Sequence, residues 1–160
     1  MATTNDLTPS GEVTTAGSFP GRRGTNGFVV LKRRVTAAEC VAATGTALIA
    51  ADTFQIINLP AYHYVLAGIV DFTTADTGTT LTVDLGIAAG DTLLDGGDGT
   101  TAGIPVVGTN GNLAASAFVS ATADTIDLTI KTISAANDDW VAEVSVICAD
   151  ISADYHPDSA

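Results

Sequence analysis

The chain has 160 residues, long enough for one domain with its own hydrophobic core. It carries 18 acidic against 6 basic residues, a formal charge of −12, yet 46% of its residues are hydrophobic and its mean hydropathy is positive. That pairing excludes a disordered acidic chain, and the negative body argues against a nucleic-acid partner, whose phosphates it would repel.

Residues 1–34 read as an extended N-terminal arm. Within them, Met1–Gly27 is poor in large apolar side chains and contains the turn markers Pro-Gly and Asn-Gly. The arm sums to +3 through Arg22, Arg23, Lys32, Arg33 and Arg34, whereas the remainder of the chain sums to −15. A basic arm on an acidic body suits docking on an acidic partner surface; the body's acidity also serves solubility on its own. The first residues, MATTNDLTPSGEVTTAGS, lack the basic start and apolar core of an export signal. No apolar run approaches the roughly 20 residues of a membrane span. A soluble protein made in the cytoplasm, with no membrane partner, is the expectation.

Phe28–Val35 is the first strand candidate, an edge strand or an arm crossing onto a partner, because three consecutive basic residues do not fit a strand buried on both faces. Thr36–Ala51 reads as two short strands joined at Gly45, although its alanines also allow a helical turn. Phe54–Leu59 follows, ended by Pro60, which has no N–H to give a ladder. Here Phe54, Ile56 and Leu59 compete with Ile57 for the core face. Tyr62–Phe72 is apolar on both parities, as expected of a strand with core on one face and a neighbour or partner on the other.

Leu81, Val83 and Leu85 alternate with Thr80, Thr82 and Asp84, a clean period of two. Gly86–Asn112 is a glycine-rich excursion with a short strand at Ile104–Val107, and Leu113–Val119 is another candidate. Ile126, Leu128 and Ile130 alternate with Asp127, Thr129 and Lys131 as a second half-buried strand. Asp139–Ile151 is the final strand, and Asp154–Ala160 a polar tail. The pattern predicts an all-β protein: an antiparallel β-sandwich, jelly-roll-like, of about eight strands. The sandwich domain spans 35–153, with the arm at 1–34 and the tail at 154–160.

Signs of chemistry are few. The acidic loop Asp91–Asp98 (DTLLDGGD) does not match a calcium-loop spacing and reads as a solvated turn cluster. His63 lies between Tyr62 and Tyr64 and reads as a packed or interface histidine, while His156 stands in the tail. Phosphate-loop, nucleophile-elbow and dinucleotide motifs do not occur. No catalytic residue, cofactor or metal is expected. Cys40 and Cys148 read as free, buried thiols; their pairing would need facing strands. Tyr62, Tyr64, Phe72, Phe118 and Trp140 read as core or subunit-interface aromatics, in preference to a sugar-binding platform.

The succession ADTFQIINLPAYHYVLAGIVDF, TTLTVDLGIAAGDTLLDG, ATADTIDLTIKT and WVAEVSVICADI resembles the small β-sandwich decoration, or cement, proteins of tailed-bacteriophage heads. The segments TVDLG (Thr82–Gly86) and ADTIDL (Ala123–Leu128) match best, and the resemblance covers roughly Thr53–Ile151. It implies a non-enzymatic virion protein that binds the major capsid protein on the outer capsid surface and self-associates, as a homotrimer by preference or a homodimer. Arg22, Arg23, Lys32, Arg33 and Arg34 are the expected capsid contacts, and Tyr62, Tyr64, Leu66 and Ile69 the expected subunit interface. The competing reading is a phage fibre, tail-tip or adhesin-like module that recognises host-surface glycans through the Gly86–Asn112 excursion.

Overall fold

In the computed structural model, the described residues are 4–8, 28–88, 90–104, 117–134 and 139–151. They form β1 (Thr4–Asp6), β2 (Phe28–Thr36), α1 (Ala37–Thr44), β3 (Thr53–Leu59), β4 (His63–Thr74), β5 (Leu81–Gly86), β6 (Leu94–Asp98), β7 (Phe118–Ser120), β8 (Asp124–Ile133) and β9 (Val141–Asp150).

Two sheets face each other. One has the order β1-β3-β8-β5-β6 and the other β2-β9-β4-β7. From β2 to β9 the chain changes sheet at every step except β5 to β6. All pairs among these eight strands are antiparallel. That is the jelly roll expected from the alternation, two sheets that hide their apolar faces in each other. The ninth strand, β1, falls in the stretch expected to be an arm and adds to β3 in parallel, with Leu7 following it against the core. Phe28–Thr36 forms the edge of the four-stranded sheet, paired along its length with β9.

The period-two strands do what their spacing dictates. Leu81, Val83 and Leu85 are fully buried, as are Ile126, Leu128 and Ile130. β8 is the middle strand of its sheet, so its intervening Asp127 and Thr129 are buried as well. Their polar atoms are satisfied locally, Asp127 by the Thr125 hydroxyl and Thr129 by the Thr53 hydroxyl at 3.1 Å. In β3 the rivalry between Ile56 and Ile57 is settled by a bulge between Gln55 and Ile57, which lets both residues be buried. The strand ends at Leu59, directly before Pro60.

Two expectations need correction. Thr36–Ala51 holds a helix, α1, where two strands were expected. Thr36 is its N-cap, accepting from the Glu39 N–H at 3.1 Å, and Gly45, at φ 70°, closes it with an N–H to the Val41 carbonyl. Thr36-Ala-Ala-Glu39 is a capping-box spacing, and alanine does the rest. The acidic stretch 91–98 is not a solvated turn cluster throughout, since Leu94–Asp98 pairs with β5 as the edge strand β6. Its glycines hide the alternation that would have announced a strand. Of the strands expected at Ile104–Val107 and Leu113–Val119, residues 105–116 lie outside the described ones. Phe118–Ser120 is strand, and Gly103 forms an isolated bridge to Phe72.

The core contains Phe54, Phe72 and Trp140, all buried. Phe72 and Trp140 meet edge to face, with ring centroids 6.3 Å apart at 76°. Cys40 and Cys148 are both buried and form no disulfide, and burial pushes the Cys148 thiol up to about 11. Neither thiol is expected to react with a disulfide reagent at pH 8 in the native protein. Both should react once denaturant is added, in a thiol count made with and without it.

Candidate functional site

The outer face of the four-stranded sheet holds Lys32, Arg34, Tyr64, Leu66 and Ile69, five of the nine residues expected to serve assembly. β9 is central to it, and the pairing register sets side chains in rows. At one end Phe28, Ala149, Tyr64 and Val119 stand side by side across β2, β9, β4 and β7. The next rows are Val30–Ile147–Ala67, then Lys32–Ser145–Ile69, then Arg34–Glu143–Asp71. The face therefore runs from aromatic and aliphatic to charged.

Its apolar end is open to solvent. Phe28 is 65% exposed, Val119 47%, Leu66 37% and Tyr64 36%. A bulge between Val65 and Ala67 sets Leu66 and Ala67 on this face together. Without the extra residue, strict alternation from Val65 would turn Ala67 and Ile69 inward. With it, Val65 and Gly68 face the core while Leu66, Ala67 and Ile69 lie on the solvent side. The two-parity apolar pattern of Tyr62–Phe72 is thus a core stripe and a surface stripe joined at Leu66. Contiguous apolar surface of this kind marks interaction sites.

Tyr64, Leu66 and Ile69 lie on the face, whereas Tyr62 precedes it in a turn with φ 59°. There its N–H donates to the Ser120 carbonyl and its own carbonyl accepts from Ile151. Lys32 and Arg34 also point outward. Arg33 has the opposite parity, between the buried Leu31 and Val35, and forms an ion pair with Glu39 of α1. Arg22 and Arg23 lie outside the described residues. Phe28, Val30, Ile147 and Val119 belong to the face and were not singled out from the sequence. VSVI in β9 did carry the signal, with apolar side chains on both parities.

Asp84 and Asp95, on the other sheet, are occupied by protein groups. Lys131 bridges Asp95, through a hydrogen bond, and Asp84, at 3.5 Å. The Asp95 bond raises its pKa, desolvation opposes that, and the charges of Asp84 and Asp95 add to the rise. Asp84 also accepts from the Gly96 N–H at 2.7 Å. Among the described residues, no group of three or more His, Cys, Asp or Glu side chains is placed to hold a metal ion. His63 Nδ1 donates to the Ala61 carbonyl at 3.1 Å. Trp140, the one tryptophan of the chain, is fully buried and offers no sugar platform. No described helix is long and apolar enough to cross a membrane.

Asp76 is 3% exposed and one of its carboxylate oxygens, Oδ1, has no hydrogen-bond partner. Burial pushes its pKa up, the Gly78 N–H at 3.2 Å partly counters this, and the charge of Asp139 pushes it further. Asp139 is itself held below the ordinary carboxylate range by the N–H and hydroxyl of Thr77, at 3.0 and 2.8 Å. The folded state holds the Asp76 proton more tightly than the unfolded state does. The stability it contributes is complete below the unfolded value and is lost as pH rises through the raised folded value. Asp139 acts oppositely, stabilising above its unfolded value and losing that contribution as pH falls through its lowered one. Asp76→Asn keeps an acceptor for Gly78 and cannot ionise. It is expected to raise Tm by a few degrees at pH 7 and to change it little near pH 3, in calorimetry at both values.

Chains in two phage capsids share this fold. One, in the cyanophage Pam1 capsid asymmetric unit, superposes with a TM-score of 0.53 at 16% identity, over 86% of this chain and 95% of that one. Another, in the capsid of Ralstonia phage GP4, superposes with a TM-score of 0.50 at 17% identity, over 91% and 97%. At these identities the likeness is one of fold. No protein-family model matches the sequence, and no curated protein matches it.

Proposed function

We propose that the chain is a structural protein of a phage head, a decoration or cement protein that binds the outer surface of the assembled shell and stabilises it. The observation that carries the reading is the two-sided coverage of the fold likeness. Nearly the whole of each neighbouring chain is matched by nearly the whole of this one, and both neighbours are chains of phage capsids. The strand succession TVDLG and ADTIDL supports the decoration role in particular, as does an apolar sheet face left open at the surface. In this reading the protein is made in the host cytoplasm, does no chemistry, and has the major capsid protein and further copies of itself as partners.

The basic arm supplies the capsid contact. Arg33 is already paired with Glu39, and Lys32 and Arg34 belong to the sheet face, so Arg22 and Arg23 are the residues to bring against acidic patches of the shell. Steering of this kind is weakened by salt. An electron-microscopy reconstruction of the source particle tests the reading: density for this chain on the head surface supports it, and density on the tail alone sinks it. Arg22→Glu/Arg23→Glu tests the arm without removing β1. Normal decoration by that variant would show that the arm is not the anchor.

A further inference from the structure

We propose that two copies of this chain pair face to face through the outer surface of the β2-β9-β4-β7 sheet, about a two-fold axis running along β9. The proposal rests on the assembly reading above for why copies meet, and adds which surface they meet through and in what register.

The argument is the distribution of residues across the three long strands. β2 brings the positive charges Lys32 and Arg34, β4 on the other side of β9 brings the negative charge Asp71, and all three residues point outward. A two-fold axis along β9 carries β2 of one copy over β4 of the other at the same height. Arg34 then stands over Asp71 of the second copy, and the symmetry makes that contact twice. Along the same strands Phe28 comes over Tyr64, Val30 over Leu66 and Ala67, and the aliphatic stem of Lys32 over Ile69. β9 meets itself, Ile147 on Ile147 and Ser145 on Ser145. Glu143 also meets its own copy, but each Glu143 has Arg34 as its cross-strand neighbour within its own sheet.

An in-plane axis perpendicular to the strands lacks these reciprocal charge contacts. Placed at the Lys32 row it stacks Lys32 on Lys32, Val30 on Arg34 and Ala67 on Asp71, and no placement of it brings Arg34 over Asp71, because it lays β2 on β2 and β4 on β4. The axis along β9 is therefore the one that matches Arg34 with Asp71. Aligned sheets pack about 10 Å apart with strand directions within about 30°, which keeps these rows in register near the axis. Three strands of this length offer a face of roughly 14 Å by 30 Å, at the small end of specific interfaces, so the pairing is expected to be reversible.

Sedimentation velocity on the full chain across the micromolar range tests this without any capsid present. A reversible monomer–dimer equilibrium is expected. Arg34→Asp and Asp71→Arg should each weaken it by about tenfold or more. The double variant R34D/D71R restores both reciprocal contacts and should return to within about threefold of the original. Ile147→Cys places a thiol on the axis. Across sheets about 10 Å apart a direct disulfide does not reach, but a short bis-maleimide spans the two thiols and should give a covalent dimer, whereas the buried Cys40 and Cys148 should not react. This cross-link decides the matter if a charge variant fails to fold. A monomer or a trimer in place of the dimer, indifference to both single reversals, a charge swap no better than its parents, or no cross-link at Ile147 would each overturn the proposal. Failure here leaves the head reading standing, and absence of the chain from the head would leave the dimer standing.

Discussion

Trp140→Ala is expected to lower the unfolding free energy by about 3–5 kcal/mol, the cost of emptying an aromatic-sized volume from a core that collapses only in part. For a domain of this size that corresponds to a Tm lower by roughly 10 °C or more. The indole is fully buried and lies edge to face with Phe72. Its backbone carbonyl also receives the Ala37 N–H at 3.0 Å, tying the start of β9 to the start of α1. One detail separates volume from polarity: Nε1 is buried without a hydrogen-bond partner. An unsatisfied buried donor costs about 1–3 kcal/mol, so Trp140→Phe removes a penalty along with the volume. It should cost far less than the alanine variant. Urea denaturation followed by circular dichroism measures both, and a phenylalanine variant as unstable as the alanine one would contradict the account.

Gly68→Val is expected to disrupt the sandwich more than any surface change. Gly68 lies on the core side of β4, where the sheets come together, and a Cβ there would sit 2.7 Å from Leu85 Cδ2 and 2.9 Å from Leu93 Cβ. Overpacking of a dense core costs about 1–3 kcal/mol for small additions. Gly68→Ala should fall in that range, and the branched valine should exceed it. Shortening Leu85 to alanine in the Gly68→Ala background relieves the first contact only. Leu93 meets the new methyl with its own Cβ, which no truncation to alanine removes, so rescue should be partial. Thermal unfolding of the single and double variants reads this out.

These two sites show where sequence reasoning reached and where it stopped. Alternation at Leu81–Val83–Leu85 and Ile126–Leu128–Ile130 is a local property, and it identified core strands because a pleated strand presents every second residue to one side. Trp140 was correctly read as a core or interface aromatic, since one indole beside an acidic turn makes a poor platform. Gly68 gave no sign, because its importance lies in Leu85 and Leu93, 17 and 25 positions further on. Helix α1 was legible in Thr36 and Glu39, but the alanine run was outweighed by the break at Gly45, which proved to be its cap. β6 was illegible because two of its five residues are glycine.

The outer face of the four-stranded sheet was half legible. Tyr64, Leu66 and Ile69, which lie on it, stood out because β4 is apolar on both parities. Phe28, Val30 and Ile147 join them only through the pairing of β2 and β4 with β9, a register no local pattern specifies. Arg33 illustrates the same limit in reverse. It is one of three consecutive basic residues, and strand parity sends it to Glu39 while its neighbours face solvent.

The central position of β9 has a consequence for how copies are made. β2 and β4 are not hydrogen-bonded to each other; each is held by β9, the last of the described strands to leave the ribosome. Until Val141–Asp150 has been synthesised, β2 has no neighbour in this sheet and β4 has only the three-residue β7, and the long sequence separation of the pairings with β9 makes their closure slow. A chain that stops short of β9 consequently lacks the strand that joins the two halves of this sheet and its continuous outer face. The topology thus acts as proofreading: only a copy translated through β9 carries the face through which we propose that copies pair.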